Sequence, residues 1–209
     1  MLSANIHFNS ADTAYFIKFG IKEHLEIIKS GELRFSDLSC FYKNKTKNSA
    51  IYDNFEGIRY LKHHENGKIE YARINEDVFI SCFSYFKEKD VLNNRIFSPK
   101  VLRERNWSHV LLILESDKFR DNIEAALSRY KRESRLVTYL DYTKDQENLT
   151  VFNKSKDFEF EKEFRYVFYP ENKLIYQKKT KRIINIPFSK VKGEIIPIND
   201  FTKCFSIEN

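Results

Sequence analysis

The alternation of hydrophobic and polar positions along the chain predicts a mixed α+β fold with strands concentrated in the C-terminal half. Helices are expected at IKEHLEIIKSG (21–31), which ends on its glycine, from Pro99 to about Arg105, and at DKFRDNIEAALSRYKRES (117–134). Strands are expected at YFIKF (15–19), ELRFS (32–36), DVFISCFSYF (77–86), SHVLLILE (108–115), RLVTYLDY (135–142), KLIYQ (173–177), KRIINIP (181–187) and GEIIPI (193–198). Residues 37–73 show no clear period, apart from one hairpin at GKIEYARI (67–74).

The stretch KDFEFEKEFRYVFYP (156–170) has the period of a strand and is predicted to be one. Its aromatic residues fall on one face, which is expected to be core, and Glu159, Glu161, Glu163 and Arg165 fall on the other. Same-face carboxylates in a strand stand ~7 Å apart and repel each other. We therefore expect Arg165 to pair with Glu161, Glu163 or a neighbouring strand, and we expect Glu163→Gln to maintain or raise stability. The alternative is an ordinary solvent-facing strand whose charges pair with their neighbours.

Length and charge narrow the class of protein. The 209 residues predict one domain spanning residues 1–209, and the apolar content of 42% is ample for a core. The net charge of +6 favours an anionic partner, such as a nucleic acid or a phosphate-bearing small molecule.

Cysteine usage and hydropathy indicate a soluble cytoplasmic protein without a membrane partner. Three widely separated cysteines with no paired spacing argue against a disulfide framework and a cysteine zinc site. The five histidines show no metal-binding spacing, so no metal cofactor is expected. The chain begins without a signal-like segment and its longest apolar run is far below the ~20 residues of a membrane span.

An arginine on an early strand, serines on a middle strand and a late Glu-x-Glu suggest a catalytic class. Arg34, Ser81 and Ser84, and Glu161-Lys162-Glu163 occur in that order, which resembles the arginine-serine-glutamate class of ADP-ribosyltransferases. The resemblance implies a split, mixed or antiparallel sheet with flanking helices and NAD as the cofactor. Glu163 would be catalytic with Glu161 beside it, Arg34 would hold the pyrophosphate, and the serines would brace the glutamate.

His24 lies on the helix just before the arginine strand and is a further cofactor-binding candidate. A histidine on the solvent face of that helix is the alternative.

A second resemblance covers residues 20–193. The pieces GELRFSD, IYDNFEG, FISCFS and NKSKDFEFEKEFRYVFY resemble a widespread bacterial family of unknown function, whose members end on Lys-x-x-x-Trp-x-x-Glu-x-Glu-Tyr-Arg. The pieces assigned to that motif are Lys156, Phe160, Glu161, Glu163, Phe164 and Arg165. The family's Met-Trp-x-x-Tyr helix is absent, and DVLNNRIFSPKVLRERNW takes its place. A bacterial or phage toxin, effector or counter-defence protein is consistent with both resemblances.

The competing hypothesis is a non-catalytic module on the same fold that binds nucleic acid or protein. Two basic runs interleaved with aromatics would supply a nucleic-acid surface through Lys131, Arg132, Lys178, Lys179, Lys181 and Arg182. The same runs are also interpretable as a solvated helix end and an exposed hairpin.

Overall fold

The computed structural model describes residues 14–42, 53, 55–74, 77–87, 107–170 and 183–204. The chain divides into two compact units. Unit 1 comprises Met1–Leu33, Phe83–Ala126 and Pro187–Asn209, and unit 2 comprises Arg34–Cys82 and Leu127–Ile186. The assignment of residues 1–209 to one domain stays a prediction.

Strands outnumber helices in the described part of the chain, so the α+β prediction is confirmed. The strands are β1 (Ala14–Gly20), β2 (Glu32–Asp37), β3 (Ile58–His63), β4 (Ile69–Arg73), β5 (Phe79–Lys87), β6 (His109–Ile113), β7 (Lys131–Leu136), β8 (Thr138–Leu140), β9 (Asn153–Ser155), β10 (Glu163–Tyr169), β11 (Ile183–Pro187) and β12 (Gly193–Pro197). The helices are α1 (Lys22–Ser30), α2 (Ser39–Tyr42), α3 (Ser116–Ala126), α4 (Ile198–Cys204) and a 3₁₀ helix (Lys156–Glu161). Among these helices none has the length and apolar character that a membrane crossing requires.

Unit 1 is an antiparallel sheet covered by helices. Strand β1 pairs with the C-terminal part of β5 and with β6, and β6 pairs with β12. The apolar run that predicts β6 is fully buried, and Leu25 and Ile28 are the buried residues of α1. Helix α1 ends where predicted, because Gly31 adopts φ 104° and a Cβ there would lie 2.4 Å from the Phe188 carbonyl oxygen.

Unit 2 is built around β10, which pairs antiparallel with β7 and also pairs with β5. Strand β2 pairs with β5 and with β11, β3 and β4 form the predicted hairpin, and β8 and β9 are parallel. The Phe168 ring contacts the rings of Phe35 and Phe79 at centroid distances of 5.1 and 5.2 Å. Aromatic packing on one side of β10 is therefore as the alternation predicts.

Two predicted elements are wrong. Helix α3 ends at Ala126, and Lys131–Leu136 is a strand because it pairs along its whole length with β10. The stretch 156–170 is not one strand, since Lys156–Glu161 is a 3₁₀ helix and Lys162 adopts a left-handed conformation with φ 44°. The helix predicted at Pro99 and the strand predicted at 173–177 lie outside the described residues.

Candidate functional site

Five charged side chains of unit 2 meet in a group that we term the charge cluster. They come from the turn before β3, from β9, from the end of the 3₁₀ helix and from β10. They are Glu56, Lys154, Glu161, Glu163 and Arg165. Four of the five are buried, and long charged residues are almost never buried to this extent unless they are paired.

The break between the 3₁₀ helix and β10 brings two of the carboxylates together. The Ser155 hydroxyl accepts a hydrogen bond from the Asp157 amide at 3.3 Å and so caps the start of the helix. At the other end, the left-handed Lys162 reverses the backbone. The Lys154 amine therefore donates to both Glu161 Oε2, at 2.5 Å, and Glu163 Oε2, at 3.1 Å.

The turn that carries Glu56 is held in place by Asp53. The buried Asp53 carboxylate accepts from the Phe55 amide at 2.8 Å and from the Ser155 amide at 3.1 Å. One side chain therefore joins the turn before β3 to strand β9. This contact brings Glu56 and Lys154 into the same charge cluster.

Four of the five residues form a closed arrangement that we term the four-residue ring: Glu56, Lys154, Glu163 and Arg165. The Arg165 guanidinium donates to both oxygens of Glu163, to Glu56 Oε1 at 2.6 Å, and to the Val151 carbonyl oxygen. The Lys154 amine closes the ring, since it lies 3.1 Å from Glu163 and 3.9 Å from Glu56. The expected pairing of Arg165 with Glu163 is confirmed.

The two ring carboxylates differ in electrostatics although they share both cations. Burial opposes ionisation of Glu163, but the Arg165 and Lys154 charges outweigh it and hold its pKa well below the ordinary value. At Glu56, burial outweighs the same two cations and raises the pKa. Burial disfavours the charged forms of Lys154 and Arg165, yet the surrounding carboxylates raise both pKa values.

Further polar groups fix the position of Glu163. Its backbone amide donates to the Tyr139 hydroxyl at 2.8 Å, and the Cys82 thiol forms a hydrogen bond with its carboxylate. Burial is the main cause that raises the pKa of the Tyr139 hydroxyl above its ordinary value, and the Glu163 charge is the second. The hydroxyl therefore stays protonated. Glu163 is thus held on every side by protein groups.

Glu161 differs from the other two carboxylates in its exposure. Its side chain is 15% exposed, against 5% for Glu163 and 2% for Glu56. Within the cluster, three carboxyl groups face two cations. Glu161 is the most accessible of the three carboxyl groups.

The other residues predicted for the site are distributed over both units. Arg34 is exposed on β2. Ser81 is buried on β5, and its hydroxyl has no hydrogen-bond partner among the described residues. Ser84, half-buried on β5, and His24, exposed on α1, belong to unit 1. Of the residues predicted to be catalytic or cofactor-binding, Glu161 and Glu163 are the two that the cluster contains, and the Cys82 thiol of β5 contacts Glu163.

The predicted nucleic-acid residues are only partly described. Lys131 is exposed and Arg132 half-buried, both on β7 rather than on a helix end. Lys178, Lys179, Lys181 and Arg182 lie outside the described residues.

Sequence reasoning missed Lys154 and Glu56. The motif Lys-x-x-x-Trp-x-x-Glu-x-Glu-Tyr-Arg fits Lys154, Phe158 and Glu161 at its full spacing, whereas the assigned Lys156 and Phe160 do not fit. Phe158 is buried, and the Lys154 amine lies 4.9 Å from the centre of its ring, while Lys156 is exposed. The spacing within the motif was therefore the signal for Lys154. No comparable signal marked Glu56.

Comparison of this chain with protein-family models, with curated proteins and with solved structures found no match. The described residues contain no group of three or more His, Cys, Asp or Glu side chains placed to hold a metal ion. Functional inference therefore rests on the charge cluster itself.

Proposed function

We propose that the chain binds NAD or a related dinucleotide and acts as an ADP-ribosyltransferase-like protein, with Glu161 as the carboxylate directed at the ligand. The observation that carries this proposal is the exposure of Glu161 beside two buried carboxylates. The sequence favoured Glu163 as the catalytic residue. We favour Glu161 instead, because both oxygens of Glu163 are occupied by Arg165 and Lys154.

A fixed carboxylate is the group that this chemistry needs. When the bond between nicotinamide and ribose breaks, its electron pair leaves with nicotinamide and positive charge develops on the ribose, which an acceptor nucleophile then attacks. A carboxylate aimed at that charge in a site of low dielectric stabilises the transition state. The Lys154 amine, 2.5 Å from Glu161, fixes the position of that carboxylate.

The order of the strands gives further support. Strand β5, which carries the predicted serines, pairs with β2, which carries Arg34, and with β10, which follows Glu161 and Lys162. An arginine strand, a serine strand and a glutamate strand are thus hydrogen-bonded neighbours. The proposed fold is accordingly an ADP-ribosyltransferase-like split sheet.

The experiment compares Glu161→Gln with Glu159→Gln. Glu159 is an exposed residue of the same 3₁₀ helix, so its replacement controls for loss of charge and for any effect on the helix. Wild-type protein and both variants are incubated with labelled NAD and a bacterial lysate, and nicotinamide release and labelled macromolecules are followed. We expect Glu161→Gln to lower both by on the order of 100-fold, the scale for losing one preorganised contact to a transition state.

Two outcomes oppose the proposal. Equal rates in wild type and Glu161→Gln would remove Glu161 from the reaction. A wild-type protein that neither releases nicotinamide nor shows a raised melting temperature with NAD would remove NAD as the ligand, because a ligand at 100 times its dissociation constant stabilises by about 2.7 kcal/mol.

Nucleic-acid binding is a second candidate, and the arrangement of β7 favours it. Lys131 and Arg135 are exposed on this strand, and the Lys131 amine lies 5.0 Å from the centre of the half-buried Tyr169 ring. Exposed cations beside an accessible aromatic ring are groups that contact the phosphates and bases of a single-stranded nucleic acid.

The test of this candidate measures the anisotropy of labelled single-stranded DNA and RNA against salt concentration. We expect the double change Lys131→Gln with Arg132→Gln to weaken binding and to reduce the salt slope. Absence of binding to both nucleic acids at low salt would eliminate this candidate.

A further inference from the structure

Unit 2 contains an open cleft of about 900 Å³ beside strand β3 of the hairpin. It is lined by residues 59–62 of β3, by the segment 145–151, and by Ile74 and Tyr169. The volume lies within the range of about 300–1,000 Å³ that is usual for small-molecule sites. Val151 belongs to both features, because it lines the cleft and its carbonyl oxygen accepts a hydrogen bond from Arg165.

A β-bulge directs two cations of β3 to the same side. The pairing between β3 and β4 shifts between Ile58 and Tyr60, so Arg59 is the extra residue of the bulge. Because of this shift, Ile58 and Leu61 are both buried in one apolar cluster, although they are three positions apart. Arg59 and Lys62, which follow them, are both exposed and both line the cleft. Bulges commonly re-aim side chains beside functional sites.

One wall of the cleft, the segment 145–151, lies directly beside β3 and is joined to it by backbone hydrogen bonds. Leu61 and Gln146 exchange two amide-to-carbonyl bonds of 2.9 Å, and the Leu149 amide donates to the Arg59 carbonyl oxygen at 2.9 Å. The Asp145 carboxylate accepts from the His63 amide at 2.7 Å. The wall is thus preorganised, which reduces the entropic cost of binding.

The two adjacent walls carry opposite charges. Arg59 and Lys62 line the β3 wall, and Asp145 and Glu147 line the neighbouring segment. Tyr60 and Tyr169 add aromatic surface. A ligand that suits both walls has an anionic part, hydroxyl groups that donate to carboxylates, and a planar ring.

We propose that this cleft binds a nucleoside diphosphate. Arg59 and Lys62 bind the two phosphates, since charged donors form the strongest hydrogen bonds to phosphate oxygens. Asp145 and Glu147 accept from the ribose hydroxyls, and a tyrosine packs against the base. The inference rests on the proposed function in that NAD contains an ADP moiety, and it assigns that moiety a location.

The experiment measures ADP binding by titration calorimetry with the purified protein. Arg59→Gln and Lys62→Gln remove one cation each from the cleft, and Lys68→Gln is the matched control, because Lys68 is exposed on the same hairpin and does not line the cleft. We expect each of the first two changes to raise the Kd for ADP about tenfold. We expect Lys68→Gln to leave the Kd unchanged and inorganic pyrophosphate to compete with ADP.

The outcomes separate this inference from the transferase proposal. Wild-type protein that fails to bind ADP at millimolar concentration, or unchanged Kd values in both cleft variants, overturns the cleft assignment even if nicotinamide is released from NAD. A tenfold weaker affinity in either cleft variant supports the assignment even if the wild type releases no nicotinamide. If Arg59→Gln does not fold, Lys62→Gln decides the question.

Discussion

Two carboxylates of unit 2, Glu163 and Glu70, accept side-chain hydrogen bonds in very different surroundings. Glu163 is 5% exposed and lies between Arg165 and Lys154. Glu70 lies on the exposed hairpin, where it accepts from His64 at 3.1 Å and from the Tyr60 hydroxyl at 3.0 Å. Both carboxyl groups have pKa values below the ordinary one, Glu163 mainly through the Arg165 and Lys154 charges and Glu70 mainly through its hydrogen bond from His64.

Both pKa values are lowered, but the two carboxylates contribute very differently to the stability of the fold. At the hairpin, water replaces a lost partner and screens the charge, so an exposed ion pair stabilises little. In the four-residue ring, a lost partner leaves the remaining charge in a site of low dielectric. Burial, rather than the number of contacts, therefore decides how much each substitution costs.

Arg165→Met is expected to have the largest effect. Methionine retains much of the apolar bulk of the stem but leaves Glu56 and Glu163 buried without their shared guanidinium, which costs about 3–5 kcal/mol. Urea denaturation monitored by circular dichroism measures the free energy of unfolding. A variant as stable as the wild type would show that the ring adds nothing to the fold.

Glu163→Gln is expected to destabilise by about 2–3 kcal/mol at neutral pH, because a neutral amide leaves Arg165 and Lys154 with one compensating carboxylate fewer. The ring reverses the sign expected from the sequence, which predicts relief of repulsion. The folded pKa of Glu163 lies below the ordinary 4.5, so its stabilisation is complete above pH 4.5 and is lost as the pH falls towards the folded value. The cost of Glu163→Gln should therefore grow as the pH rises from acid to neutral.

Glu56→Gln tests the same ring at a carboxyl group whose pKa is raised rather than lowered. Burial raises the folded pKa of Glu56 above 4.5, so ionising this residue in the folded state costs free energy as the pH rises through that folded value. An amide avoids that cost, and the destabilisation by Glu56→Gln should shrink with rising pH and stay near 1 kcal/mol at neutral pH. Denaturation curves for the two glutamine variants at several pH values would contradict this contrast if their pH slopes had the same sign.

The elements of the fold were predictable where local pattern and final burial agree. The apolar run of β6 and the periodic face of α1 with its terminal Gly31 identified both elements, because the residues that determine them are adjacent in the chain. Strand β7 was not predictable, since KRES has no apolar alternation and becomes a strand by pairing with β10. Such pairing joins residues 28 to 38 positions apart and leaves no local signal.

The candidate site was predictable only in part, for a related reason. The alternation of Phe and Glu in 156–163 has the two-residue period that is typical of a strand. The segment forms a 3₁₀ helix instead, because Ser155 caps its start and Lys162 ends it in a left-handed conformation. Glu161 and Glu163 could be selected because they are close in sequence. Their partner from the turn before β3, Glu56, could not, because nothing in the sequence shows that a charged residue will be buried.

Glu70→Gln is expected to have the smallest effect of the series. Glutamine retains an oxygen that can accept from the Tyr60 hydroxyl, and solvent compensates a weakened His64 hydrogen bond, because the Glu70 side chain is about half exposed. We expect the melting temperature to change by about 1 °C or less at low salt and by less at high salt, where exposed charges are screened. Differential scanning calorimetry of this variant beside Glu163→Gln at two salt concentrations makes the comparison directly. A change at Glu70 as large as that at Glu163 would mean that burial does not set the cost, and the four-residue ring would lose its distinction from the hairpin.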